Sequence, residues 1–267
     1  MCALHKQQHD RALPVTSPPA LDRQAALFLD VDGTLLDIAP HPEQVTVSPE
    51  LPGLLQRLAA ERGGALALIS GRPIADLDRL FRPWHGAAAG LHGIERRGAD
   101  GNDAPAAAAD DDRVAAAALD RIRPELAALA RQWPGVWLED KGRTVALHYR
   151  AAPQAGGAVR DAAARLLQEM DDGLRLIGGK MVIEFQPRRY NKGRVIVAFM
   201  AESPFCGRTP VFLGDDTTDE DGFAEINHRG GVSIRIGANS CDTVAAYRLP
   251  SVNAALEWLT PEDGPAG

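Results

Sequence analysis

Residues 26–37 read Ala26-Leu27-Phe28-Leu29-Asp30-Val31-Asp32-Gly33-Thr34-Leu35-Leu36-Asp37. Four apolar residues run straight into two carboxylates one residue apart, then into a Gly-Thr turn. A short continuous apolar run ending at a turn reads as a strand buried on both faces, as in a parallel sheet. In an open α/β sheet, ligands bind in the crevice beyond the carboxyl ends of the strands. Two carboxylates crowded there repel each other unless a cation or a shared proton relieves them. The segment therefore calls for a metal, a proton-transfer role, or both.

The flanking sequence repeats the pattern. Leu51, Leu54, Leu55 and Leu58 recur at helical spacing and predict a helix over 49–62 that ends at Gly63-Gly64. A second buried strand follows over 65–69 and ends in Ser70-Gly71-Arg72-Pro73. A helix over 74–80 and a strand over 87–91 come next. Strand-helix-strand alternation implies a parallel sheet with helices on its faces.

The pattern changes near residue 98. A Gly/Ala/Asp-rich stretch over 98–112 reads as a linker. A helix over 113–132, with a restart at Pro124, leads to two strands over 136–141 and 144–150. After a helix over 154–170, strands over 174–177 and 181–185 flank Gly178-Gly179, a two-residue hairpin signal. This order is antiparallel and α+β, so an inserted domain is expected. The first pattern then resumes with a helix over 192–201 and a strand over 209–213. That strand runs into Gly214-Asp215-Asp216-Thr217-Thr218-Asp219-Glu220. A strand over 232–236 and a helix over 251–259 close the chain. The expected division is a loose lead-in over 1–23, a discontinuous α/β core over 24–98 and 187–267, and an inserted domain over 99–186.

Composition limits the partners. The 267 residues carry a formal net charge of −7 and contain no Lys/Arg-rich block, which argues against a nucleic-acid surface. No apolar run approaches the ~20 residues of a membrane span, and the first residues have no apolar stretch of the kind a signal peptide carries. Cys2, Cys206 and Cys241 are odd in number and widely spaced, so neither a disulfide framework nor a zinc site is suggested. A cytoplasmic protein is expected. The sequence is silent on oligomeric state, and a monomer is the working expectation.

Three core strands end in polar constellations, and parallel strands bring those ends together: Asp30/Asp32/Thr34, Ser70/Arg72 and Asp215/Asp216/Asp219, with Lys192 at a nearby helix start. Oxygen ligands without His or Cys favour a hard cation, Mg²⁺ first. A hydroxyl, a lysine and a metal around an acidic nucleophile suit phosphoryl transfer. A second acid two residues on can protonate a leaving alkoxide and then deprotonate the attacking water.

These residues, in this order, resemble the four-motif signature of haloacid-dehalogenase-type phosphatases. The resemblance implies a Rossmann-like parallel-sheet core with an inserted α+β cap. It implies Asp30 as nucleophile, Asp32 as general acid/base and Lys192 as a phosphate ligand and catalytic group. Gly33, Thr34, Ser70, Gly71 and Arg72 complete the phosphate-binding set. Mg²⁺ would be held by Asp30, the Asp32 backbone carbonyl and Asp215, with Asp216 and Asp219 behind these ligands or on metal-bound water.

Further motifs narrow the likeness: Gly90-Leu91-His92-Gly93-x-Glu95, Glu139-Asp140-Lys141, His148-Tyr149-Arg150, Gly179-Lys180-x-x-x-Glu184 and Asn191-Lys192-Gly193. With the core motifs these resemble the trehalose-6-phosphate phosphatase family over residues 25–260. Gln186 departs from that pattern, where arginine is more usual. The resemblance implies trehalose 6-phosphate as substrate and a place in trehalose biosynthesis. In strand periodicity, Glu139 and Lys141 share a face, as do Lys180 and Glu184, while Val136/Leu138 and Met181/Ile183/Phe185 face the other way. The polar face would read the remote sugar, with His92 and Glu95 assisting from the core. Other sugar phosphatases of the superfamily, such as sucrose-phosphate enzymes, share the core motifs, so the choice of sugar rests on the cap. A non-catalytic phosphosugar sensor is the remaining alternative, and the intact Asp30/Asp32/Lys192/Asp215 set weighs against it.

Overall fold

The computed structural model describes residues 17–39, 42–102, 109–169, 173–179, 181–238 and 242–260. The core sheet is built from β1 (Ala26–Leu29), β2 (Leu66–Ile69), β3 (Ala87–Gly90) and β4 (Glu95–Arg97), then, after an insertion, β9 (Pro210–Gly214), β10 (Val232–Ile236) and β11 (Tyr247–Leu249). Its strand order is β11-β10-β9-β1-β2-β3-β4, parallel throughout except for β4 against β3.

Successive residues of each strand feed opposite faces, because side chains alternate along a strand. Leu27, Leu29, Leu66 and Leu68 pack against α1 (Leu51–Glu61), α2 (Ile74–Leu80) and α7 (Val252–Leu259). Ala26, Phe28, Ala67 and Ile69 pack against α5 (Lys192–Met200) and α6 (Glu220–His228). All of β1 and β2 is buried, as the unbroken apolar runs require. From β1 the chain proceeds outward through β2 and β3. After the insertion it returns on the other side of β1, at β9. The switch in winding direction therefore lies between β1 and β9, where a ligand crevice is expected.

The insertion holds α3 (Ala109–Gln132), β5 (Trp137–Asp140), β6 (Val145–His148), α4 (Gly156–Gln168), β7 (Leu174–Gly179) and β8 (Val182–Pro187). Its four strands form an antiparallel sheet in the order β5-β6-β8-β7. Leu147, Ile183 and Phe185 on one face join Leu119, Ile122, Leu126 and Val159 from the two helices in a separate apolar core. We refer to this part as the cap.

Several expectations change. Helix α3 begins at Ala109 and runs through Pro124 without a restart. Gly178 and Gly179 lie inside β7, paired with Ile183 and Val182, so these two glycines are not the hairpin turn. Met181 is at that turn with φ 63° and is exposed, away from the apolar face it was expected to join. The stretch expected as a loose lead-in is tied down where it is described. Trp258 Nε1 donates to the Pro19 carbonyl at 3.0 Å, and the buried Arg62 donates to the Asp22 carbonyl at 3.3 Å. Residues 1–16 lie outside the described residues.

Candidate active site

Beyond β1, residues 31–36 fold back on themselves: the amides of Thr34, Leu35 and Leu36 donate to the Val31 carbonyl, and Gly33 donates to Leu36. Gly33 has φ +90°, and a Cβ there would come within 2.0 Å of Asp215 Oδ2. Glycine thus permits both the turn and the close approach of the two acidic strand ends.

Asp30 is buried at the floor of the cleft. Its Oδ1 accepts from Lys192 Nζ at 2.6 Å and its Oδ2 from Thr34 Oγ1 at 3.1 Å. Lys192, at the start of α5, also donates to Asp219 Oδ1 at 2.6 Å. Asn191 caps that helix by accepting from the Arg194 amide, which aims Lys192 into the cleft. Burial pushes the Asp30 carboxyl well above its ordinary value. Lys192 opposes the rise, and the Asp219 and Asp215 carboxylates add to it. Asp219 and Asp30 overcome burial to hold the Lys192 ammonium well above its ordinary range.

One carboxylate oxygen from each of Asp30, Asp215 and Asp219 lies within 4.8 Å of the others, all three buried. An oxygen-only set of this kind suits a hard divalent cation. Asp219 has both oxygens engaged: Oδ1 holds Lys192, and Oδ2 accepts from the Asp215 and Asp216 amides at 3.0 Å each. It shapes the loop and holds the lysine. Asp216 lines the cleft and accepts from the Thr217 amide.

Asp32 stands at the mouth of the cleft, its carboxylate gripped by Arg72 through Nε and Nη2, each at 2.7 Å. Arg72, expected on the phosphate, thus has its fork on Asp32 in this structure. The buried Ser70 accepts from the Arg72 amide at 3.1 Å. Gly71 allows close contact with His92, whose Nε2 would lie 2.7 Å from a Cβ placed there.

The roof is the polar face of the cap sheet. Register places Glu139 opposite Ala146, and Ala146 opposite Glu184, in one row across β5, β6 and β8. Lys141 Nζ sits 3.4 Å from Glu184 and 3.8 Å from Glu139, and donates to the core carbonyl of Gly71 at 3.1 Å. Lys141 holds the Glu184 carboxyl far below its ordinary value against the cost of burial. His92 Nε2 lies 3.7 Å from Glu184, beyond hydrogen bonding. Glu184 Oε1 and His92 Nδ1 are buried and have no partner among the described residues. Other contacts close cap onto core: Thr217 Oγ1 to the Gly178 carbonyl, Arg175 to Asp221, and Arg150 to the Ala39 carbonyl.

Not every expected residue faces the cleft. Thr34 is fully buried behind Asp30, with its hydroxyl on the Asp30 carboxylate. Glu95, expected at the sugar, points elsewhere: its Oε2 accepts from the Ile74 amide at 2.7 Å, at the start of α2. It lines a separate cleft with Arg97 and Arg143. Pairing of β4 with β3 turns it that way. Lys180 lies outside the described residues. Gln186 is buried and donates to the Tyr190 carbonyl at 3.0 Å. Sequence reading missed His148 and Arg150 as cleft residues, although both lie in the His148-Tyr149-Arg150 motif and alternate along the strand with the same period as Ala146.

Comparison with known proteins agrees with this geometry. The trehalose-phosphatase family model matches residues 28–253. The chain is 46% identical over 250 residues to the trehalose-6-phosphate phosphatase of Escherichia coli K12, covering 92% of this chain and 89% of that one. It is 43% identical over 229 residues to a probable trehalose-phosphate phosphatase of Sinorhizobium fredii, covering 86% and 84%. The solved C-terminal domain of the trehalose-6-phosphate phosphatase of C. albicans superimposes with a TM-score of 0.77 at 25% identity, covering 91% and 97%. On the motifs, the fold and this likeness, the chain belongs to the trehalose-phosphatase family.

Proposed function

We propose that the protein hydrolyses trehalose 6-phosphate to trehalose and inorganic phosphate, as a step of trehalose biosynthesis, with Mg²⁺ as its cation. The observation that carries the reading is a buried carboxylate, Asp30, held by Lys192 beneath a cap face of alternating carboxylate and ammonium groups. In this reading residues 24–98 and 187–267 act as the catalytic core and 99–186 as the cap.

An oxygen of Asp30 attacks phosphorus, and the bond from phosphorus to the sugar oxygen breaks. Asp32 gives its proton to the departing alkoxide. Water then attacks the phosphoryl group on Asp30 and yields its proton to Asp32, which releases phosphate and restores both carboxyls. Lys192 and Ser70 neutralise and orient the non-bridging phosphoryl oxygens. Asp30, Asp215 and the Asp32 backbone carbonyl would hold the cation, which would supply positive charge to the phosphoryl oxygens. Arg72 has two successive partners, Asp32 before substrate enters and the phosphate afterwards, which frees Asp32 to carry its proton.

The remote glucosyl unit lies against Glu139, Lys141 and Glu184, with His92 beside them. The carboxylates and ammonium of this face are suited to sugar hydroxyls, which both donate and accept. Cap closure keeps water from the phosphorylated enzyme until hydrolysis is aligned. A cytoplasmic, monomeric enzyme remains our reading of the whole.

The nucleophile is tested by Asp30→Asn. Turnover should vanish while the far-ultraviolet circular dichroism and melting curve persist, and wild-type enzyme quenched in acid should carry phosphate on the peptide holding Asp30. Turnover retained by the variant, or phosphate found on another residue, would refute the assignment.

A further inference from the structure

Glu139 faces the cleft from the edge strand of the cap sheet, where a glutamate side chain has wide rotamer freedom. Something must hold it if it is to present a fixed carboxylate. Lys141, at 3.8 Å, is too far for a hydrogen bond and is engaged with Gly71 and Glu184. His148 Nε2, in contrast, lies 2.8 Å from Glu139 Oε2.

We propose that His148 is a positioning residue: braced by Trp137, it holds Glu139 in the orientation that binds the sugar, and so sets affinity for the sugar and not the rate of phosphoryl transfer. The proposal rests on the reading of Glu139 as a sugar ligand.

The strand register explains how this works. Trp137 is directly opposite His148 in the β5–β6 pair, and Glu139, two residues along, is on the same face. The residue opposite Glu139 is Ala146, which carries only a methyl group. The space above it lets the imidazole reach diagonally to the carboxylate, a contact antiparallel pairs permit for long or ring side chains. The imidazole cannot swing away, because it lies flat on the Trp137 indole, with ring centroids 4.0 Å apart and planes within 5°. The His148 side chain is 17% exposed, so the bond to Glu139 is partly shielded from water. His148 and Lys141 together hold the Glu139 carboxyl below its ordinary value despite burial. A carboxylate held in place before binding loses less freedom when the sugar arrives.

The test compares full-length enzyme and its variants on trehalose 6-phosphate and on p-nitrophenyl phosphate, which has no sugar, with kcat and KM measured separately. His148→Ala should raise KM for trehalose 6-phosphate about tenfold or more while leaving kcat within about twofold. Both constants for p-nitrophenyl phosphate should be unchanged. His148→Gln, whose amide nitrogen can take the place of Nε2, should recover most of the affinity. His148→Asn, which keeps an amide but falls short of Glu139, should behave like the alanine variant. The double variant with Glu139→Ala should be no worse than Glu139→Ala alone.

Equal losses on both substrates, a glutamine variant as poor as alanine, or additive losses in the double variant would overturn the proposal. A costly Glu139→Ala with a harmless His148→Ala would overturn it while sparing the sugar-ligand reading. An unchanged KM in Glu139→Ala would overturn that reading and the proposal with it.

Discussion

Arg72 holds the Asp32 carboxylate with two hydrogen bonds of 2.7 Å, one from Nε and one from Nη2, across forty residues of sequence. A fork-on-fork pair of this kind fixes orientation as well as charge. It joins the first strand end to the loop that follows β2, so the two motifs are held as one unit. Replacing Arg72 should remove both the hold on Asp32 and a cation for the phosphate. Arg72→Ala is expected to lower kcat/KM on the order of 10²–10³-fold, on trehalose 6-phosphate and p-nitrophenyl phosphate alike. Arg72→Lys should restore little, since a lysine has no planar fork. Steady-state kinetics on both substrates checks this.

Lys192 is 2% exposed and sits 2.6 Å from both Asp30 and Asp219. Removing it leaves two buried carboxylates without their shared counter-ion. Lys192→Met should abolish turnover and cost about 3–5 kcal/mol of stability, read from denaturant melts in the presence of a chelator.

A divalent cation should offset the burial, and the neighbouring Asp219 and Asp215 carboxylates, that push Asp30 upward. Mg²⁺ is therefore expected to raise the melting temperature, equivalent to about 2.7 kcal/mol when present at a hundred times its dissociation constant. Asp215→Ala should cancel that shift, and chelation should stop turnover of the wild type. Differential scanning fluorimetry with and without Mg²⁺ reads the first two outcomes.

Glu184 contributes a pH dependence whose sign follows from its depressed carboxyl. The group is held below its ordinary value of 4.5, so its ionised form stabilises the fold. That contribution is complete above about pH 4.5 and declines as pH falls below it, because the unfolded chain takes up the proton first. Glu184→Gln should cost about 1–3 kcal/mol at pH 7 and progressively less below 4.5. Melting curves of both proteins from pH 7 to pH 3.5 test it. Parallel curves would show that Glu184 is not paired as described.

Much of this was legible in the sequence because the signals are local. An apolar run ending in Asp-Val-Asp-Gly-Thr specifies a buried strand and its acidic end, and the Asp215–Asp219 segment does the same for β9. What stayed hidden depends on distant pairing. The Arg72–Asp32 fork needs the register of β1 on β2. Glu95 looks like a companion of His92 until β4 pairs antiparallel with β3 and turns its carboxylate to the start of α2. Strands β4 and β11 have three residues each, too few to show a period. Helix α6 buries only Gly222, Phe223 and Ile226, and its start lies within the acidic run that dominates the reading there. The hairpin signal at Gly178-Gly179 misleads because both residues pair within β7, and Gly179 accommodates contact with the core. A Cβ at Gly179 would lie 3.0 Å from Asp216 Oδ2, and the Gly178 carbonyl receives Thr217.

The central claim is that the core performs phosphoryl transfer while the cap selects the sugar. Phosphate release from trehalose 6-phosphate, sucrose 6-phosphate, glucose 6-phosphate and p-nitrophenyl phosphate, with and without Mg²⁺, tests it most directly. We expect Mg²⁺-dependent turnover with the highest kcat/KM on trehalose 6-phosphate. No turnover of trehalose 6-phosphate, or faster turnover of another disaccharide phosphate, would contradict the account.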